Sequence, residues 1–172
     1  ACVDAGVQTF MSAFNSLSGI PATGNRWLLT DLLRKQWDFR GFVVSDWNAV
    51  QELKAHGVAE TDEDAALLAL KAGVDMDMTD GVYNRCLATA VREGRLDVST
   101  IDVSVEHILR AKYALGLFND PYCFLDSTRE RREVRSEALN VLARKAAASS
   151  MVLLKNNAAV LPLSKQIHRI AL

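Results

Sequence analysis

Three short apolar segments recur along the chain at almost even spacing: GVQTFMS (6–12), GFVVS (41–45) and VDMDM (74–78). From Thr9 to Val43 is 34 residues and from Val43 to Asp75 is 32. Each segment is too apolar to be covered on one face only, as a strand buried on both faces is. Helical patterns fill the intervals, and a crossover of a dozen residues or more is what a parallel pair of strands requires. A (β/α)₈ barrel of roughly 250 residues spends about 31 on each strand-helix unit. The spacing therefore predicts an α/β fold in which residues 1–118 supply three consecutive strand-helix units, the C-terminal part of a TIM-like barrel.

The helices carry their own signals. Asn25 is placed to cap a helix whose apolar residues Trp27, Leu28, Leu32, Leu33 and Trp37 recur at helical spacing, with Arg34 and Lys35 late in it, where they complement the dipole. The stripe Trp27, Leu28, Leu32 and Trp37 reads as packing between helix and sheet. NAVQELKAHG is expected to be helical up to Gly57. Thr61 with Asp64 resembles a capping box opening EDAALLALKAG, which Gly73 closes. A helix is expected from about Val82 to Glu93, and another over 99–118 with Ser99 and Asp102 in capping-box positions.

From FNDPYCFLD onward the pattern changes. A proline, aromatics and the charge run TRERREVRSE lead into a long helix, ALNVLARKAAASS. Residues 119–132 are expected to link two domains, with 133–172 opening the second. VLLKN and RIAL read as short strands around a turn-rich stretch, and HRIAL looks like a strand that is only beginning, so the sequence reads as an excerpt of a longer protein. Acids alternate with bases in the charge run, which makes it a solvated face rather than a nucleic-acid patch.

Composition narrows the function. A formal net charge of −1 over 172 residues gives no footprint for nucleic acid or an anionic membrane. No apolar run approaches the roughly 20 residues a membrane span needs, and no targeting signal is visible at ACVDAGVQTF. Cys2, Cys86 and Cys123 are widely spaced, and His56, His107 and His168 are isolated, so neither a disulfide framework nor a metal site is expected. The nine glycines never form a phosphate-binding loop, so no nucleotide cofactor is expected.

Catalytic side chains in a parallel barrel come from the C-terminal strand ends, and Asp46 stands at such an end, followed at once by Trp47. Asp46 capping the next helix is the structural alternative. A carboxylate beside an aromatic suits carbohydrate chemistry: the carboxylate attacks or stabilises an oxocarbenium-like centre, and the ring offers a flat apolar surface to a sugar. Asp75 and Asp77 alternate with Met76 and Met78, point the same way, and suggest support of the site. Glu106 and His107 read as the polar face of a helix.

The segments MSAFNSLSGIPATGNRWLLTDLLRKQWDFRGFVVSDW, ALLALKAGVDMDM, ILRAKYALGLFNDPY and ARKAAASSMVLLKNNAAVLPL, in this order, resemble family 3 glycoside hydrolases, especially bacterial β-glucosidases. The resemblance covers nearly the whole chain. It implies that Asp46 is the nucleophile of a retaining mechanism and that Trp47, Met11 and Phe14 line the glucose subsite. It implies hydrolysis of terminal β-D-glucosyl residues without a cofactor or metal, a β-glucoside or oligosaccharide as substrate, and a second domain of α/β sandwich type. Asp46 is then expected to keep a low pKa, helped by the N-terminus of the following helix and by basic neighbours.

The resemblance also implies gaps. The family's acid/base is usually a Glu in the second domain, and its sugar-gripping Lys-His pair, Asp and Arg lie on earlier strands. Lys54 and His56 follow the nucleophile and do not correspond to that pair, and no general acid is assigned. Many relatives carry Tyr at the position of Phe14, whose ring cannot donate a hydrogen bond. A β-xylosidase or a β-N-acetylglucosaminidase of the same family is the alternative, although Trp47 argues against the second. A non-catalytic carbohydrate-binding fragment is the alternative of another class. The isolated chain is expected to be inactive, and the family suggests periplasmic or secreted placement.

Overall fold

The computed structural model describes residues 1–169. The chain divides into two units, Ala1–Cys123 and Phe124–Leu172. The first unit is α/β. Its strand β1 (Thr9–Met11) pairs in parallel with β4 (Phe42–Val44), in the register Thr9 to Phe42, Phe10 to Val43 and Met11 to Val44. Between them lie a two-stranded antiparallel hairpin of β2 (Ser16–Leu17) and β3 (Ile20–Pro21), and a wide helix at Trp27–Gln36. Three α-helices follow: α1 (Asp62–Ala72), α2 (Val82–Arg92) and α3 (Val98–Ala114).

The apolar core is built around Val43, Val50, Leu53, Ala65, Ala66, Ala69, Val74, Val82 and Ala90, all with no exposed surface. The run of alanines on α1 leaves no bulk to hold α2 away, and the two helices pack closely. Gly41 opens β4 where two backbones touch. A Cβ there would lie 2.0 Å from the Gln8 carbonyl oxygen, the same oxygen that accepts the Phe42 N–H at 3.2 Å.

The capping signals of α1 hold in full. Thr61 Oγ1 accepts the Asp64 N–H at 3.1 Å, Asp64 Oδ2 accepts the Thr61 N–H at 3.0 Å, and Gly73 closes the helix at φ +115°. The cap of α3 lies two residues earlier than expected: Asp97 Oδ1, rather than Ser99, accepts an N–H, that of Ser99, at 2.9 Å. Asp97 reaches it because an Asx side chain bonds the backbone two residues on.

Several other expectations change. Asn25 does cap the first helix, its Oδ1 accepting the Leu28 N–H at 3.0 Å. That helix, however, is of the π type, with the Trp37 N–H bonded to the Leu32 carbonyl five residues back. With this wider winding Leu29 and Leu33 are buried and Leu28 packs partly against the core, whereas Trp27 and Trp37 of the expected core stripe point outward, 52% and 53% exposed. Residues 48–57 form turns with only a short 3₁₀ segment, Gln51–Leu53, in place of a helix. Asn48 at φ +62° breaks the helical path at its start.

The first strand is shorter than 6–12, and Thr9 and Met11 are exposed because β4 is its one partner among the described residues. The segment 74–78 makes a single bridge, Val44 to Met76, instead of a strand. The reason is chemical: the Asp75 carboxylate takes the Val43 N–H at 2.7 Å, a donor that a ladder would give to a backbone carbonyl. The Val43 carbonyl in turn accepts from both Asp75 and Met76, at 2.8 and 3.1 Å.

The second unit holds α4 (Ser127–Glu133), which the charge run forms with Asp126 as its cap, and α5 (Glu137–Ser150), capped by Ser136. VLLKN is not a strand, since no neighbouring strand pairs with it among the described residues. The expected strand RIAL falls largely on residues 170–172, outside the described residues. No helix among the described residues is long and apolar enough to cross a membrane.

Candidate active site

The parallel register decides what meets at one end of the sheet. Met11 ends β1 opposite Val44, and Ser45 and Asp46 follow Val44 directly, so Met11 and Asp46 leave the sheet at the same, carboxyl end. Ser45 is fully buried and fixes that end: its N–H donates to the Met76 carbonyl at 2.8 Å and its Oγ accepts the Met78 N–H at 2.8 Å. On the neighbouring strand the Ser12 N–H donates to the Val44 carbonyl at 3.0 Å, and its buried hydroxyl meets that of Thr23 at 2.9 Å.

The chain then turns. Asp46 Oδ1 accepts the Trp47 N–H at 2.6 Å, and its carbonyl accepts the Ala49 N–H at 3.1 Å. The carboxylate is half-buried, while Trp47 beside it is 64% exposed. Met11 and Phe14 are exposed as well, Phe14 in the turn between β1 and β2. All four expected site residues thus offer surface to solvent around one sheet end or the turns leaving it. The expected electrostatic support of Asp46 is corrected: no α-helix starts behind it, and among the described residues it enters no ion pair. Lys54 is paired with Asp62 of α1, and His56 is exposed.

Below Asp46 lies a polar cluster of which the sequence marks only Asp75. Asp75 is buried, and its Oδ2 accepts from the Arg34 guanidinium as well as from Val43, while its Oδ1 stands 2.9 Å from His107 Nδ1. Arg34 also donates to the Gly41 carbonyl at 2.9 Å and lies over the Phe39 ring at 5.6 Å. A carboxylate this deep needs such partners, since an unpaired buried charge is heavily penalised. His107 is therefore not part of a solvated helix face. The signal for it was Asp75 itself, a charge inside an apolar segment, but its partners stand 41 and 32 residues away and have no local mark.

Two further acids flank the turn after Met76. Asp77 Oδ2 accepts the Tyr83 N–H at 3.2 Å, and Asp80 Oδ2 accepts the Gln51 N–H at 2.8 Å. Burial pushes the Asp80 carboxyl above the usual range, against the pull of its backbone donors. Among the described residues no group of three His, Cys, Asp or Glu side chains is placed to hold a metal ion, and the cysteines are free thiols.

Known proteins resemble this arrangement over nearly its whole length. Residues 1–111 match the glycosyl hydrolase family 3 N-terminal domain. The chain is 45% identical over 173 residues to the periplasmic beta-glucosidase of Salmonella typhimurium, covering 96% of this chain and 22% of that protein. It is 38% identical over 156 residues to a putative beta-xylosidase of Formosa agariphila, covering 90% of this chain and 20% of that one. Among solved structures, the beta-glucosidase from Listeria innocua in complex with glucose superimposes with a TM-score of 0.78 at 40% identity, covering 94% of this chain and 22% of that one. The same enzyme was also solved as a mutant in complex with laminaribiose. The chain spans about a fifth of the length of the curated relatives it matches. With the parallel sheet end, the carboxylate-indole pair and the match over residues 1–111 agreeing, the chain belongs to glycosyl hydrolase family 3.

Proposed function

We propose that these residues carry the nucleophile of a retaining β-glucosidase, and that the nucleophile is Asp46. The observation that carries this reading is the parallel β1/β4 register, which sends Met11 and Asp46 off the same end of the sheet with Trp47 adjacent. In the proposal the strands are staves of a (β/α)₈ barrel whose other staves lie elsewhere in the protein. Residues 133–172 open a second domain of α/β sandwich type, with 119–132 as the link to it.

The chemistry is a double displacement. A carboxylate oxygen of Asp46 attacks the anomeric carbon and forms a glycosyl ester while the bond to the leaving oxygen breaks. A second carboxyl, about 5–5.5 Å away in retaining enzymes, gives that oxygen a proton. The same group then takes a proton from water, which attacks the anomeric carbon and frees Asp46. Trp47, Met11 and Phe14 form the apolar walls of the sugar subsite, and ring faces suit the C–H surface of glucose. The second carboxyl comes from outside the described residues.

In the full-length protein, Asp46→Gly should lower turnover of an aryl β-glucoside by about 10³-fold or more, with azide restoring part of it as the glycosyl azide. Unchanged turnover would remove Asp46 from the mechanism. A β-xylosidase is the second reading, favoured by the identities to xylosidases of 38% and 36%. The ratio of kcat/KM on aryl glucoside to that on aryl xyloside decides between them.

A further inference from the structure

We infer that Arg34, Asp75 and His107 form a positioning device for Asp46, centred on the buried Asp75 carboxylate. The inference rests on the assignment of Asp46 as nucleophile. Asp75 grips β4 directly, its Oδ2 accepting the Val43 N–H at 2.7 Å, three residues before Asp46. Arg34 joins the same oxygen and ties down the backbone at the entrance of β4, at the Gly41 carbonyl at 2.9 Å, and just before segment 74–78, at the Gly73 carbonyl at 3.5 Å. His107 holds the other carboxylate oxygen from α3 at 2.9 Å. A carboxylate can only accept, so Nδ1 carries the hydrogen in this bond.

Three elements far apart in the chain thus converge on one carboxylate. That carboxylate replaces a rung of backbone ladder between β4 and the segment 74–78. Ser45 is pinned to this segment in turn, through Met76 and Met78. With only one bridge and a few backbone bonds joining the two segments, the side-chain contacts help set how far β4 advances toward the sheet end, and so where the Asp46 oxygens stand. Rates of displacement depend steeply on such placement, and an error of 1 Å can cost about 10²-fold.

The test separates positioning from mere support of the fold. Asn places an amide nitrogen where Nδ1 of histidine stands, whereas Gln places it near Nε2. In the full-length protein, His107→Asn should keep kcat within about twofold of the parent. His107→Gln and His107→Ala should lower kcat by about tenfold with KM nearly unchanged. The rate at which a 2-deoxy-2-fluoroglucoside traps the covalent adduct should fall by the same factor, measured at a temperature where thermal unfolding shows every variant folded. Asn and Gln variants that trap at equal rates would overturn the inference. Loss confined to melting temperature, with parent-like trapping in all folded variants, would also overturn it. If Asp46→Gly retains turnover, the assignment of the nucleophile fails instead, whatever the His107 variants do.

Discussion

Asp80 accepts a backbone N–H with one carboxylate oxygen, and its other oxygen is buried without a partner. Desolvation of the charged form raises its pKa above the ordinary 3.8. As pH rises from below 3.8, the unfolded chain releases this proton first and the folded chain keeps it longer. Stability therefore falls through the interval between the ordinary and the raised value, and stays lower above it. Asp80→Asn keeps an oxygen for the Gln51 N–H and removes the ionisation. It should raise the melting temperature by a few degrees at pH 7, and the gain should vanish at pH 3, as calorimetry at the two values would show. At this scale the sequence marks Asp46 and Trp47 as candidates, because a charge beside an indole at a strand end stands out, and the structure places both just past the end of β4. It was silent about Arg34 and His107, since a helix surface is full of such residues and only the fold says which of them meets Asp75.

Among elements, legibility follows the range of the forces involved. The capping box of α1 and its closing glycine are local hydrogen-bond chemistry and were read correctly. For the helix at 27–36 the cap was legible, but its π winding was not, because i→i+5 bonding leaves no mark in composition, and Trp27 and Trp37 of the expected core stripe point outward. The third strand failed for a different reason: Asp75 offered Val43 a side-chain acceptor that competes with the ladder. The glycine at the start of β4 gives the sharpest test of the strand pairing. Gly41→Ala sets a methyl against a backbone oxygen that cannot swing aside, so β1 and β4 must part. A loss of about 1–3 kcal/mol is expected by analogy with overpacked cores, read as a shifted denaturant midpoint. An unshifted midpoint would mean that the two backbones are not in contact.

At the scale of the molecule, two short parallel strands and one bridge are the extent, among the described residues, of the sheet whose end carries Asp46. Met11, Trp47 and Met76 are exposed at its end, and unpaired strand edges invite association. The 172 residues made alone should give no turnover of an aryl β-glucoside and should sediment as a concentration-dependent mixture. Parent-like turnover by the isolated chain would contradict the proposal that a second carboxyl comes from elsewhere. The cluster around Asp75 has one more consequence, which belongs to biosynthesis. Val43 precedes Asp75 by 32 residues, and Asp75 precedes His107 by another 32. At roughly 5–20 residues per second, each interval lasts about 2–6 s on the ribosome. The nascent strand that bears Asp46 therefore waits through two successive delays before its last anchor has been translated.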